Sequence, residues 1–170
     1  MMVVHEAGHV VGAVCIGTIV EKVVLHPLAI SRTDVANNQN PLVVIWAGPV
    51  LGALLPLVLL SLRRRVNEGL RPFAKFFAGF CLVANGAYIS VGSIERIGDA
   101  GDLLGHGSPG WTLWLFGVVT SPTGFWLWNG LGPSFGLGTA NGEVNRRLAY
   151  LSAGLLALTV LLELCFSPHQ

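Results

Sequence analysis

The residues with the clearest chemical potential lie near the start of the chain, in the segment HEAGH at positions 5–9. This segment matches the pattern H-E-x-x-H, in which two histidines stand one helical turn apart. His5 and His9 therefore share one helix face, where both imidazoles can bind a single zinc ion. Glu6 lies beside them and is a candidate general base for a metal-bound water. The spacing predicts two zinc ligands and one catalytic carboxylate.

The composition indicates the solvent in which such a site would work. The chain has 170 residues, of which 52% are hydrophobic and only 11% are charged. Soluble domains carry about 25% charged residues, so the chain lacks the polar surface of a soluble protein. We therefore predict a multi-pass integral membrane protein in contact with a lipid bilayer, formed by a single domain over residues 1–170. The net charge of +1 gives no case for a nucleic-acid partner.

Apolar segments predict an all-α bundle of about five transmembrane helices, with a short strand or loop after the first helix. The first helix is expected over residues 1–20, followed by a short strand in 21–29 and a polar loop over 31–40. The other helices are expected in long stretches with few charges, over residues 41–62, 76–94, 109–129 and 148–166. Ionisable groups at membrane depth are costly, so those of HEAGH must face protein or a water pocket.

One ligand of the predicted zinc site is missing from HEAGH, because catalytic zinc usually takes three protein ligands and a water. The candidates are histidines and carboxylates elsewhere in the chain, namely His26, Asp99, Asp102, His106 and Glu163. Asp99 and Asp102 stand in a glycine-rich turn directly before a long apolar segment. Irregular backbone of this kind is tolerated at membrane depth only where protein covers it or where it lines a cavity. The residues alone favour this turn and leave both aspartates open.

The order of the motifs resembles the site-2 protease family of intramembrane zinc metalloproteases. HEAGH in an early apolar helix is followed by Ala47-Gly48-Pro49 in the next helix, and then by the segment DAGDLL at 99–104. The resemblance covers residues 1–105, which would form the core of a metalloprotease-like domain. The helices over 109–129 and 148–166 would be additions to that core.

The resemblance implies that one Zn²⁺ ion is held by His5, His9 and Asp99. It implies that Glu6 is the catalytic residue and that Asn85, which is similar to the family's asparagine, binds the substrate backbone. The chain departs from the family pattern in that no proline follows Asn85 at the expected place, and Asp102 is an extra carboxylate. Asp102 therefore remains an alternative ligand. The implied activity is that of a zinc metalloendopeptidase acting on membrane-protein substrates.

The predicted topology contains a conflict. The segment Arg63–Lys75 carries half of the ten basic residues and is predicted to be a cytoplasmic loop. Two preceding spans then place HEAGH near the cytoplasmic face, whereas a straight third helix would carry Asp99 to the opposite face. We therefore expect either a segment that folds back over residues 85–99 or a helix break at Asn85-Gly86.

Other functions remain open at this stage. A degenerate family member would be a catalytically inactive membrane scaffold or regulator of the same fold. An ion-coupled transporter would use Asp99, Asp102 and Glu163 for ions and would bind no zinc. The intact HEAGH segment favours the endopeptidase. We expect an extended segment of its substrate to pair with an edge strand around Val23–Leu25.

Overall fold

The computed structural model describes residues 1–25, 31–62 and 68–166. These residues form six α-helices and one two-stranded antiparallel sheet, in the order α1 (Met2–Cys15), β1 (Ile19–Val24), β2 (Arg32–Ala36), α2 (Pro41–Leu62), α3 (Arg71–Glu95), α4 (Gly98–Gly105), α5 (Gly110–Trp128) and α6 (Arg146–Phe166). Short 3-10 helices lie at Glu68–Leu70, Gly132–Phe135 and Gly138–Ala140. The mainly helical architecture with a small strand element is therefore confirmed.

Three helices are long and apolar enough to cross a membrane, over Pro41–Ser61, Arg71–Glu95 and Arg146–Cys165. The helix predicted over 41–62 is present with the same bounds, and those predicted over 109–129 and 148–166 are present as α5 and α6. We expected about five spans, whereas the described residues contain three helices that are both long enough and apolar enough to cross a membrane. These three helices are compatible with a membrane location.

The first helix is shorter than the sequence predicted. α1 ends at Cys15, because the chain turns at Gly17 with a φ of +73° and enters β1 two residues later. Its 14 residues give a length of about 21 Å, less than the roughly 30 Å of a bilayer core. Its buried face carries all three ionisable residues of HEAGH. These groups therefore face the protein interior and its cavity.

A strand occupies half of the loop predicted over residues 31–40. β2 pairs with β1 in an antiparallel ladder that places Val23 opposite Thr33 and Val20 opposite Val35. The prediction of a loop was wrong because the many polar residues hid two β-branched side chains at alternate positions, which suit a strand.

The strand predicted within residues 21–29 is present as β1, although it begins earlier, at Ile19. Residues 26–30 lie outside the described part of the chain, and with them the candidate ligand His26.

Glycines let α1 pack closely against the first turns of α2. A Cβ atom on Gly8 would lie 2.5 Å from the carbonyl oxygen of Ala47, and one on Gly12 would lie 2.6 Å from the Cβ of Ala47. Both distances are too short for real atoms, so any larger residue would push the helices apart. The close approach sets the depth of HEAGH beside α2.

The third helix is unbroken, so the break expected at Asn85-Gly86 does not occur. The chain instead reverses after Glu95, through left-handed backbone at Arg96 (φ 53°) and Gly98 (φ 52°). The glycine-rich turn predicted to hold the aspartates is itself helical and forms α4.

The reversal lays α4 back against α3, where Ala100 and Leu103 pack on Ile89 in a buried cluster. Of the two routes that we expected, a fold-back is therefore the one observed, and it occurs beyond the end of α3. Because α1 is short and α3 ends beside the start of α2, HEAGH and α4 meet at the same end of the bundle.

Small residues also join α3 to α5. A Cβ atom on Gly124 would lie 2.6 Å from the carbonyl oxygen of Gly79 and 2.7 Å from Cγ2 of Val83. The neighbouring core cluster joins α2, α3 and α5 through Ala53, Ala78, Leu82 and Leu127. Without a hydrophobic driving force in lipid, such close backbone contact is a main source of helix association.

The Gly124 contact predicts opposite effects for two matched substitutions. Gly124→Ala should destabilise the protein by roughly 1–3 kcal/mol, because the backbone oxygen of Gly79 can yield only if the helices separate. In the control Gly154→Ala, nothing lies within 4 Å of the new Cβ, and alanine is favoured in helices by about 1 kcal/mol. Thermal unfolding in detergent, followed by circular dichroism, should show a lower midpoint for Gly124→Ala alone. Equal midpoints would contradict the packing role.

Candidate metal centre

Three side chains from distant parts of the sequence converge between α1 and α4. Nε2 of His5 lies 2.7 Å from Oδ2 of Asp99, and Nε2 of His9 lies 3.2 Å from the same oxygen. The two Nε2 atoms are 3.1 Å apart. In the described part of the chain, this is the group of histidine and carboxylate side chains that could hold a metal ion.

The separations suit a small divalent cation. In a tetrahedral site with bonds of about 2.0–2.1 Å, ligand atoms lie about 3.3 Å from one another. To reach this value, the observed distances of 2.7, 3.1 and 3.2 Å need to open by about 0.6, 0.2 and 0.1 Å. The backbone arrangement is therefore already that of a three-ligand site.

The hydrogen bonds on the far side of each imidazole fix which nitrogen faces the centre. Nδ1 of His5 lies 2.7 Å from Oδ1 of Asn85, and Nδ1 of His9 lies 2.9 Å from the carbonyl oxygen of Val44. Both partners are acceptors, so both Nδ1 atoms carry the proton and donate it. Each neutral imidazole then points an Nε2 lone pair at the centre, the arrangement found in histidines that bind metals.

The buried amide of Asn85 orients His5. Asn85 is fully buried on α3, and its Nδ2 donates to the carbonyl oxygen of Cys81 at 2.8 Å, which leaves Oδ1 to face His5. A Cβ atom on Gly52 would lie 2.9 Å from this Oδ1, so a small residue on α2 makes room for the amide. The predicted role of Asn85 in binding the substrate backbone stays a prediction, because these contacts do not bear on it.

Gly48 provides the space for the second histidine. A Cβ atom at this position would overlap the imidazole ring of His9. The Ala47-Gly48-Pro49 segment therefore has a physical function in this chain, because it places a bare stretch of α2 backbone against the ring. The carbonyl oxygen of Val44, one turn earlier on α2, accepts a hydrogen bond from Nδ1 of His9.

Asp99 is held by the start of α4. Its backbone N–H donates to the hydroxyl of Tyr88 at 3.1 Å. A side chain on Gly98 would overlap that hydroxyl, so glycine is required for both its position and its positive φ. Burial opposes the charge of Asp99, but His5 and His9, when protonated at both ring nitrogens, donate hydrogen bonds from Nε2 that outweigh burial and lower the pKa of Asp99 from 3.8 to about 2. The carboxylate is therefore ionised and available as a ligand.

Glu6 is buried beside the ligand group but does not belong to it. Its Oε2 accepts a hydrogen bond from Oγ1 of Thr33 on β2 at 2.7 Å. The three converging side chains lie on one wall of a cavity of about 720 Å³, and Glu6 lies on the same cavity. A buried carboxylate and the candidate metal ligands therefore line the same cavity.

The other ligand candidates lie elsewhere. Asp102 and His106 are exposed on the cavity wall, and His106 donates from Nδ1 to the carbonyl oxygen of Asp102. Glu163 is on α6, a helix whose apolar stretch is not buried against the rest of the described chain. None of these three side chains is part of the converging group.

Two site residues were not singled out from the sequence. Thr33 lies in a segment that read as a polar loop, and only its alternation with Val35 pointed to a strand. Tyr88 follows Asn85 by three positions and therefore shares its helix face, which is a signal that the sequence did contain. Its ring packs edge-on against His5, with centroids 5.6 Å apart.

Comparisons with protein-family models, with curated proteins and with solved structures give no match for this chain. The function proposed below rests on the geometry of the site.

The geometry predicts different effects for the two aspartates. The parent protein should bind about one zinc ion, whereas Asp99→Asn should bind zinc at least tenfold more weakly, because a ligand is lost. Asp102→Asn is the matched control and should retain parental affinity. Equilibrium dialysis followed by plasma emission spectrometry measures both. Loss of zinc in Asp102→Asn together with its retention in Asp99→Asn would contradict the assignment.

Proposed function

We propose that the protein is a zinc-dependent intramembrane endopeptidase that hydrolyses peptide bonds of membrane-embedded protein substrates. The observation that carries the proposal is the convergence of His5, His9 and Asp99 with the buried carboxylate of Glu6 beside them. The resemblance of the motif order to the site-2 protease family supports the same activity.

The donor set favours zinc. Two neutral imidazoles and one carboxylate form a common catalytic zinc site with an open position. The same donors also hold iron(II) in oxygen-activating enzymes, so the ligands alone do not select the metal. Glu6 favours hydrolysis, because a carboxylate adjacent to the metal is the group that deprotonates a bound water in H-E-x-x-H hydrolases.

The chain's own residues supply the acid–base steps. A zinc ion at this site would polarise the scissile carbonyl and lower the pKa of a bound water towards about 7. Glu6 would take the proton from that water and deliver it to the leaving amine. Asn85 and Val44 would keep the two imidazoles in the tautomer that leaves Nε2 free, through the hydrogen bonds at their Nδ1 atoms.

The size and lining of the cavity are consistent with a peptide substrate. Its volume of about 720 Å³ is within the usual range of ligand pockets. Residues 31–35 line it, so β2 is a strand that borders the cavity. A helical substrate must unwind to expose its scissile carbonyl, and we place the extended segment beside β2, in place of the edge of β1 expected from the sequence.

The orientation in the membrane follows from the position of the basic residues. Arg71 and Lys75 begin α3, whereas the metal centre lies near its other end. The cytoplasmic location of Arg63–Lys75 stays a prediction from the positive-inside rule, and residues 63–67 lie outside the described chain. If that prediction holds, the centre lies nearer the opposite face of the membrane.

The alternatives differ in which residues they require. A transporter that uses Asp99, Asp102 and Glu163 is less well supported, because the last two side chains lie outside the converging group. An inactive scaffold would retain the metal and have no use for a buried carboxylate beside it. The role of Glu6 therefore discriminates between a scaffold and an enzyme.

Glu6→Gln tests the catalytic carboxylate without changing its volume. The variant should keep about one zinc ion and lose proteolysis by about 10²–10⁴-fold, because general-base catalysis is removed. The assay is cleavage of fluorescein-labelled casein by purified protein in detergent, with Glu163→Gln as the control that should cleave at the parental rate. Proteolysis by Glu6→Gln at the parental rate would reject the assignment.

A further inference from the structure

A threonine from the hairpin, the antiparallel pair of strands β1 and β2, makes a polar contact with the catalytic carboxylate. Oγ1 of Thr33 donates to Oε2 of Glu6 at 2.7 Å, across 27 positions of sequence. Only 4% of Glu6 is exposed. Among the described residues, this is the hydrogen bond that the structure gives to the Glu6 side chain.

The carboxylate needs such a contact for a physical reason. A glutamate side chain has many rotamers, and ordering it costs conformational entropy. As a base it must lie close to the metal-bound water without becoming a ligand, and one of its oxygens must stay free for the proton. A hydrogen bond to one oxygen satisfies these requirements together, because it fixes the group and leaves the other oxygen available.

Thr33 is suited to this task because its backbone position is set by pairing with the neighbouring strand. It lies in β2, where it is paired with Val23 of β1. A β-branched side chain in a strand has restricted χ1 freedom, so the hydroxyl is held in place by the sheet. The sheet therefore holds the hydroxyl of Thr33 in place, and this hydroxyl orients the carboxylate of Glu6.

We propose that Thr33 is a positioning residue for Glu6: its hydroxyl holds the carboxylate beside the metal ligands, with one oxygen directed at the bound water. The inference rests on the proposed function, because it assigns Thr33 a part in the action of Glu6 as a base. It also gives β2 two roles, since the strand then both lines the cavity and orients the catalytic group.

Two substitutions separate the hydroxyl from the shape of the side chain. Thr33→Val keeps the β-branched shape and removes the donor, whereas Thr33→Ser keeps the donor and removes a methyl group. Thr123→Val is the matched control, because the Thr123 hydroxyl donates only to its own helix, at the carbonyl oxygen of Val119. The measurements are kcat and KM for labelled casein in detergent, zinc content, and the visible absorption spectrum of the cobalt(II)-loaded protein.

We expect Thr33→Val to lower kcat by about 10–100-fold, because a misplaced catalytic group costs rate and not binding. KM should stay within about twofold, and the zinc content and cobalt spectrum should match those of the parent, because no ligand moves. Thr33→Ser should restore kcat to within about threefold, and Thr123→Val should behave as the parent.

Several results would overturn the inference. An unchanged kcat in Thr33→Val, or an equal loss in Thr33→Ser, would show that the hydroxyl does not matter. A changed cobalt spectrum or lost zinc in Thr33→Val would show that Thr33 supports the ligands and not the base. If Glu6→Gln is inactive while Thr33→Val is not impaired, this inference alone fails. If Glu6→Gln cleaves as fast as the parent, the proposed function fails and the inference fails with it.

Discussion

The rest of the structure depends on the close approach of three side-chain atoms, each of which can bind a metal ion. The lone pairs of two imidazoles and one carboxylate oxygen lie within 3.2 Å of one another. Their other hydrogen bonds keep the protons of both histidines on Nδ1, away from this centre. Buried acceptors without a donor between them repel and lose their hydration. A divalent metal bound between them would satisfy all three atoms at once.

Each element contributes one requirement of that centre. α1 supplies the two histidines, and the glycines at its contact with α2 allow the rings to reach the depth of Asp99. α3 supplies the amide that orients His5, and α4 supplies the carboxylate after a sharp reversal. The hairpin supplies the hydroxyl that contacts Glu6. Small residues recur at these contacts because they allow the close backbone approach on which these helix contacts depend.

The sequence predicted those features that depend on local patterns. Both ends of α2 were predicted correctly, because a stretch without charged residues marks where the helix begins and ends. HEAGH was recognised because its spacing alone puts two imidazoles on one helix face. The length of α1, the strand β2 and the helical nature of residues 98–105 were missed. A left-handed turn at Gly17 or Arg96 depends on tertiary contacts, and a polar strand gains its stability from a partner strand. The contacts of Asn85 and Thr33 were beyond sequence reasoning, because they join residues 80 and 27 positions apart.

X-ray absorption at the zinc K-edge of the purified, zinc-loaded protein tests the central claim most directly. Its extended fine structure reports the ligands of the metal without relying on a substrate. We expect four nitrogen or oxygen neighbours at about 2.0–2.1 Å, with the outer-shell scattering of two imidazole rings and no sulfur. In Asp99→Asn the imidazole scattering should weaken as the ion is lost. A six-coordinate oxygen shell without imidazole scattering, or a sulfur neighbour at about 2.3 Å, would contradict the account.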